Sequence, residues 1–87
     1  MNNTRRRAIA AVIKKLQNAV EEAQEKVQEI LDDEQDALDN IPESLIDSER
    51  YSRSEDAVAN LEDAESSLDS IYSDIEDVVS NLEDASV

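Results

Sequence analysis

An 87-residue chain of 9.7 kDa with 23 acidic and 8 basic side chains carries a formal net charge of −15. Its length allows one domain. The absence of Cys, His and Gly removes disulfides, thiolate and imidazole catalysis, Cys- or His-ligated metals and Gly-rich phosphate loops.

The first long stretch without a helix breaker contains Ile9, Ile13, Leu16, Val20, Ala23, Val27, Ile30, Glu34, Ala37 and Ile41. The steps alternate between four and three, and Glu34 is the one polar member. That alternation predicts a heptad row on one face of a helix. Val12, Leu31 and Leu38 widen the face. The connection Asp39-Asn-Ile-Pro-Glu-Ser-Leu-Ile-Asp-Ser48 holds the only proline. Pro42 disfavours helix at Ile41 and suits the first turn of a new one. Ser44, Asp47, Ser48 and Ser52 are candidate N-caps, and Ser52 with Glu55 has capping-box spacing. The second stretch repeats the alternation with Tyr51, Ser54, Val58, Leu61, Glu65, Leu68, Tyr72, Ile75, Val79 and Leu82. Beside it runs a row at seven-residue spacing: Ala57, Ala64, Ile71, Val78 and Ala85. Tyr51 and Tyr72 are read as core or rim packing.

These signals predict one helical domain over residues 1–87, with a helix over about 4–39, a connection over about 40–47 and a helix over about 48–84. Folding back at residues 45–46 pairs positions whose numbers sum to 91 or 92, such as Val20 with Tyr72 and Ile13 with Val79. The expected fold is therefore all-α, an antiparallel two-helix hairpin with a heptad seam. The alternative is one long helix broken at Pro42 in a parallel coiled coil. In the hairpin Glu34 falls near Val58 and Glu65 near Val27. Burying either carboxylate alone is costly, so the seam edge or Lys26 reaching Glu65 is expected to relieve it. The broad apolar faces exceed what one partner helix covers. A homodimer forming a four-helix bundle is the expected remedy, with a second protein docking there as the alternative.

Charge is divided sharply. Residues 1–20 hold five basic side chains and no acid, whereas residues 21–87 hold 23 acidic and 3 basic ones. Helix 1 is thus charged against its own macrodipole, with Arg5, Arg6 and Arg7 at its start and Asp32, Asp33, Glu34, Asp36 and Asp39 at its end. Antiparallel ion pairing accounts for this pattern, with the basic start of helix 1 beside Asp74, Glu76, Asp77, Glu83 and Asp84. Arg50 and Arg53 would likewise meet the acidic end of helix 1. Arg5, Arg6 and Arg7 are also a possible anion contact. Binding of nucleic acid there is disfavoured by the anionic body and by the lack of interleaved aromatics.

Rows of carboxylates on a rigid rod present negative charge much as a duplex does and favour a basic protein partner. The candidate partner-binding residues are Asp32, Asp33, Glu34, Asp36, Asp39, Glu62 and Asp63. A metal loop at Asp32–Asp36 is disfavoured because the run is helical and has no Gly. The adjacent carboxylates point outward and have no apolar pocket, so no catalytic residue, cofactor or metal is expected. No apolar run reaches the ~20 residues of a membrane span and no signal-peptide core appears, which points to a cytoplasmic protein.

The connection Asp39-Asn-Ile-Pro-Glu-Ser-Leu-Ile-Asp-Ser-Glu-Arg-Tyr51, followed by the repeating Leu-Glu-Asp-Ala pattern, resembles small acidic proteins of phage and prophage genomes. The likeness is close over residues 39–51 and looser over helix 2, which here is richer in Ser. It implies a setting, the bacterial host cytoplasm, and supplies no catalytic or cofactor-binding residue. By analogy with small acidic phage proteins, it implies binding to and blocking of a host protein that handles nucleic acid. The competing expectation is a structural or assembly module, scaffold-like, that works through its heptad faces.

Overall fold

The computed structural model describes residues 1–87. Two α-helices of 37 residues each account for most of the chain: α1 over Asn3–Asp39 and α2 over Glu49–Ala85. Neither contains Gly or Pro. Each starts at a short polar side chain that satisfies a free backbone N–H of the first turn. The Asn2 Oδ1 accepts from the Arg5 N–H at 2.9 Å, and the Ser48 Oγ accepts from the Tyr51 N–H at 3.2 Å. Pro42 is extended (φ −58°, ψ 146°) and ends the first helix. One 3₁₀ turn, Glu43–Leu45, then carries the chain round, its last N–H donating to the Pro42 carbonyl at 2.8 Å.

Of the four candidate caps in the connection, Ser48 is the one used, and Ser52 lies inside α2. Replacing Ser48 by Ala is therefore expected to cost about 1 kcal/mol. In a chain of this size that is a fall of about 4–8 °C in melting temperature. Ser52→Ala is expected to leave the melt within about 2 °C, and a calorimetric comparison of the two decides the point.

The helices run side by side in opposite directions. The Arg6 Nε donates to the Ser86 carbonyl at 2.8 Å, joining the first turn of the chain to its last, which rules out the extended broken helix. The molecule is a rod of 67 × 15 × 13 Å with a radius of gyration of 19.6 Å, against about 12 Å for a compact domain of this length. No helix is long and apolar enough to cross a membrane.

On α1 the buried and half-buried apolar positions are Ile9, Ile13, Leu16, Val20, Ala23, Val27, Leu31 and Leu38, continued by Ile41 in the connection. The row departs from the expected one after Val27. Leu31 is 8% exposed, whereas Ile30, predicted to face α2, is 53% exposed. Ala37 likewise gives way to Leu38. The reason is geometric. A straight α-helix drifts about 20° per heptad against a 3.5-residue repeat, so three to four heptads shift the facing row by most of one residue. Leu31 and Leu38, expected to need outside cover, obtain it from α2. On α2 the row through Tyr51, Ser54, Val58, Leu61, Glu65, Leu68, Ile75, Val79 and Leu82 is buried or half-buried, while Tyr72 lies at the exposed rim.

The polar members of these rows are arranged differently from expectation. Glu34 meets Ser54, not Val58: the Ser54 Oγ donates to its carboxylate at 2.9 Å, one helical turn nearer the connection. The one buried polar residue thus pairs with a half-buried acid, and no buried side-chain polar atom is left without a partner. Lys26 does not reach Glu65. It pairs with Glu29 on its own helix at 3.6 Å, and Glu65 is half-buried.

Candidate functional site

The expected ion pairs between the helices do not form. The two salt bridges, Lys26–Glu29 and Arg53–Glu49, both lie within a single helix and are well exposed. Row phase explains this. Arg7, Lys14 and Lys15 fall on the side of α1 turned away from α2, so their ammonium and guanidinium groups cannot meet the acids of the second helix. Arg6 alone turns inward, and it takes a carbonyl at the C-terminus of α2, where the helix dipole favours a cation. At the other end the acidic last turns of α1 lie beside the N-terminus of α2, the positive end of its dipole. The antiparallel arrangement thereby offsets the reversed charge of α1 through dipoles and not through ion pairs.

The acids of α2 are segregated. Glu55, Glu62, Asp69, Glu76 and Glu83 form one row at seven-residue spacing, and Asp56, Asp63, Asp77 and Asp84 form a second beside it. All nine are exposed, and only uncharged Ala59, Ser66, Ser73 and Ser80 lie between the rows. At 10.5 Å per heptad, the first row runs for about 42 Å. The α1 residues across this flank are Ala10, Gln17, Gln24 and Leu31, none of them a cation. The Gln24 Nε2 donates to the Asp69 Oδ1 at 3.2 Å, which locates the α2 row against α1. Sequence reasoning had picked out Glu62 and Asp63 from these rows and missed the other seven. The signal was present as four Glu-Asp pairs at a fixed offset from the apolar row, with Asp69-Ser70 in the middle of the seven-residue series.

The remaining predicted residues lie at the end of α1. Asp32, Asp33, Asp36 and Asp39 are exposed and wrap around the outer surface without converging. Asp32 accepts from the Gln28 side chain at 2.8 Å and Asp39 from Gln35 at 3.0 Å. Glu34 faces an open groove of about 470 Å³ that is also lined by Ile41, Glu49, Arg50, Arg53 and Ser54. The groove places two guanidinium groups beside the acidic end of α1, but Arg53 binds Glu49 within α2. No three acidic side chains come together in a way that would hold a metal ion.

Charge also differs along the rod. The half containing the connection, residues 28–64, holds 13 acidic and 2 basic side chains, a net charge of −11. The open half, residues 1–27 with 65–87, holds 10 acidic and 6 basic, a net charge of −4. The acidic character is therefore concentrated at the closed end and along one flank of α2. No family model, curated protein or solved structure matches the chain.

Proposed function

We propose that this chain is a non-enzymatic protein–protein interaction module. It binds a basic, nucleic-acid-handling protein of a bacterial host through its acidic helix faces and interferes with it. The observation that carries this reading is the pair of carboxylate rows on α2, nine acids on one flank with no cation among them. Magnitude supports it. The closed half of a 67 Å rod carries a net charge of −11, about one charge per 3 Å of axis. One strand of a DNA duplex carries one per about 3.4 Å. A protein groove that neutralises a phosphate backbone meets a similar density here.

The finer parts of the reading belong to the same proposal. The phage-like connection sets the protein in the host cytoplasm. Two hairpins pair along heptad rows into a four-helix bundle, which leaves the acidic flanks outward. A scaffold-like role through the apolar faces is the second reading, favoured by the exposed Val12, Ile30, Ile71 and Val78. Nucleic-acid binding through Arg5, Arg6 and Arg7 is the weakest, because Arg6 is engaged by the Ser86 carbonyl.

The test is capture of bacterial proteins on the immobilised chain. Basic nucleic-acid-binding proteins are expected to be retained at about 50 mM NaCl and released by about 500 mM, or by added duplex DNA. The variant Asp32→Asn/Asp33→Asn/Asp36→Asn/Glu62→Gln/Asp63→Asn is expected to retain at least tenfold less. Capture that survives high salt, added DNA and these substitutions overturns the reading in favour of the apolar faces.

A further inference from the structure

The hairpin has too much surface for its mass. Its accessible area is 6415 Å², whereas a folded monomer of 9.7 kDa exposes about 5,100 Å². The excess of about 1,300 Å² exceeds the ~800 Å² that each partner contributes to a standard stable interface. The interior is correspondingly thin. Four apolar residues are buried, and no side chain is fully so. Chains of this size usually need a staple of some kind, and this one has no cysteine.

Of the exposed large apolar side chains, Val12, Ile30, Ile71 and Val78 share one flank. The Gln24–Asp69 hydrogen bond marks the acidic flank. On each helix the row on the other side of the buried one belongs to the opposite flank. That row is Val12, Ala19, Lys26 and Asp33 on α1, and Ala57, Ala64, Ile71, Val78 and Ala85 on α2. Ile30 joins it because Leu31 turns inward. The neighbouring row of α2 is Asn60, Ser67, Asp74 and Asn81, so this side of the helix carries a single acid. Covering the α2 part of the flank requires little desolvation of charge, and Lys26 and Asp33 are the charges that the α1 row adds.

We propose that this flank binds a second copy of the chain, about a two-fold axis that crosses the rod near its middle. The proposal rests on the reading above for its functional sense, since it leaves both acidic flanks free. Two features select the crossing axis over one along the rod. First, it places residues of the two α2 helices whose numbers sum to about 135 opposite one another. Ile71 then lies over Ala64 of the other copy and Val78 over Ala57, large against small. An axis along the rod would gather the large side chains at one end and the alanines at the other. Second, it sets the two halves of charge −11 at opposite ends and brings Lys15 level with Asp33 of the other copy, whereas the other axis lays the acidic halves side by side. The resulting dimer is isologous and displays its carboxylate rows on two opposite faces, so it is bivalent toward basic partners.

Analytical ultracentrifugation of the full chain at about 100 μM in 150 mM NaCl is expected to give twice the 9.7 kDa chain mass. Ile71→Gln/Val78→Gln, which alters no charge, is expected to raise the dimer dissociation constant at least ~100-fold. Orientation is read separately. Ser67→Cys, the only thiol in such a variant, lies near the axis and is expected to be cross-linked by a short bismaleimide. Ser73→Cys, among the acidic rows, is not. A wild-type chain that sediments at monomer mass overturns the proposal, as does a Gln variant that stays dimeric. Equal cross-linking at Ser67→Cys and Ser73→Cys overturns the orientation. None of these readouts involves a basic partner, so failure of the acidic docking reading would leave them unchanged.

Discussion

Val79→Asp abolishes the cooperative thermal transition of this protein: that is the expected result of placing one carboxylate at its best-buried position. Val20 and Val79 are each 4% exposed, the lowest values in the chain. Val79 packs level with Ile13 in the pairing frame set by Arg6 with Ser86 and Gln24 with Asp69. Removing the valine forfeits about 1.5–3 kcal/mol of burial. An unpaired carboxylate in its place costs several more, because the α1 row it would face, Ile9, Ile13 and Leu16, is apolar. A single core of this size supplies little more than about 3–5 kcal/mol in total. The sum of the losses exceeds the whole.

The measurement is helical circular dichroism against temperature, with Ser80→Asp as the companion variant. Ser80 follows Val79 in sequence and is exposed between the acidic rows. The same substituent there meets like charges at i±3 and i±4 and is expected to cost about 1–2 kcal/mol while leaving the transition cooperative. If Val79→Asp melts like wild type, the two helices do not pack against each other in solution through this row.

That contrast between neighbours also marks how far sequence reasoning reaches. The four-three alternation exposes the helices because it is side-chain period alone, and their antiparallel pairing needs in addition the break at Pro42 and the register of the two rows about it. Ile30 and Leu31 show where period fails. Both are apolar, they are adjacent, and the choice between them turns on a drift of about 20° per heptad that no residue type encodes. The charge pattern misled for a related reason. Cations at the start of α1 and acids at the end of α2 are level along the rod, but level is not facing. Arg7, Lys14 and Lys15 share a height with Glu76, Asp77, Glu83 and Asp84 while lying on different sides. Glu34 and Ser54 were each visible as the polar member of an apolar row. Their hydrogen bond was not, since it joins positions one turn off the level pairing. The acidic surface was legible from composition, whereas its confinement to one flank of α2 needed the row that faces α1 to be known first.

Raising NaCl from about 10 mM to about 500 mM is expected to raise the melting temperature by roughly 5–15 °C, while it weakens binding to a basic partner. The two signs have one cause. Successive acids of the first row on α2 are about 10.5 Å apart, well inside the ~30 Å Debye length at 10 mM and well outside the ~3–5 Å length reached near 500 mM. A pair of like charges at that distance repels by about 0.4 kcal/mol in water. The closed half has 13 acids and only 2 cations, and Arg53, the one in a salt bridge, is bound to a side chain of its own helix. Many small repulsions therefore remain uncancelled, and screening them is worth a few kcal/mol. Attraction to a basic partner is screened by the same ions, so affinity falls as stability rises. Chloride is the salt to use, because sulfate would strengthen apolar burial as well. Protein concentration must be held fixed, since self-association alone would move the melt. A melting temperature that is flat or falling across the series would mean that the carboxylates are already compensated, and the strand-like charge density on which partner binding depends would be absent.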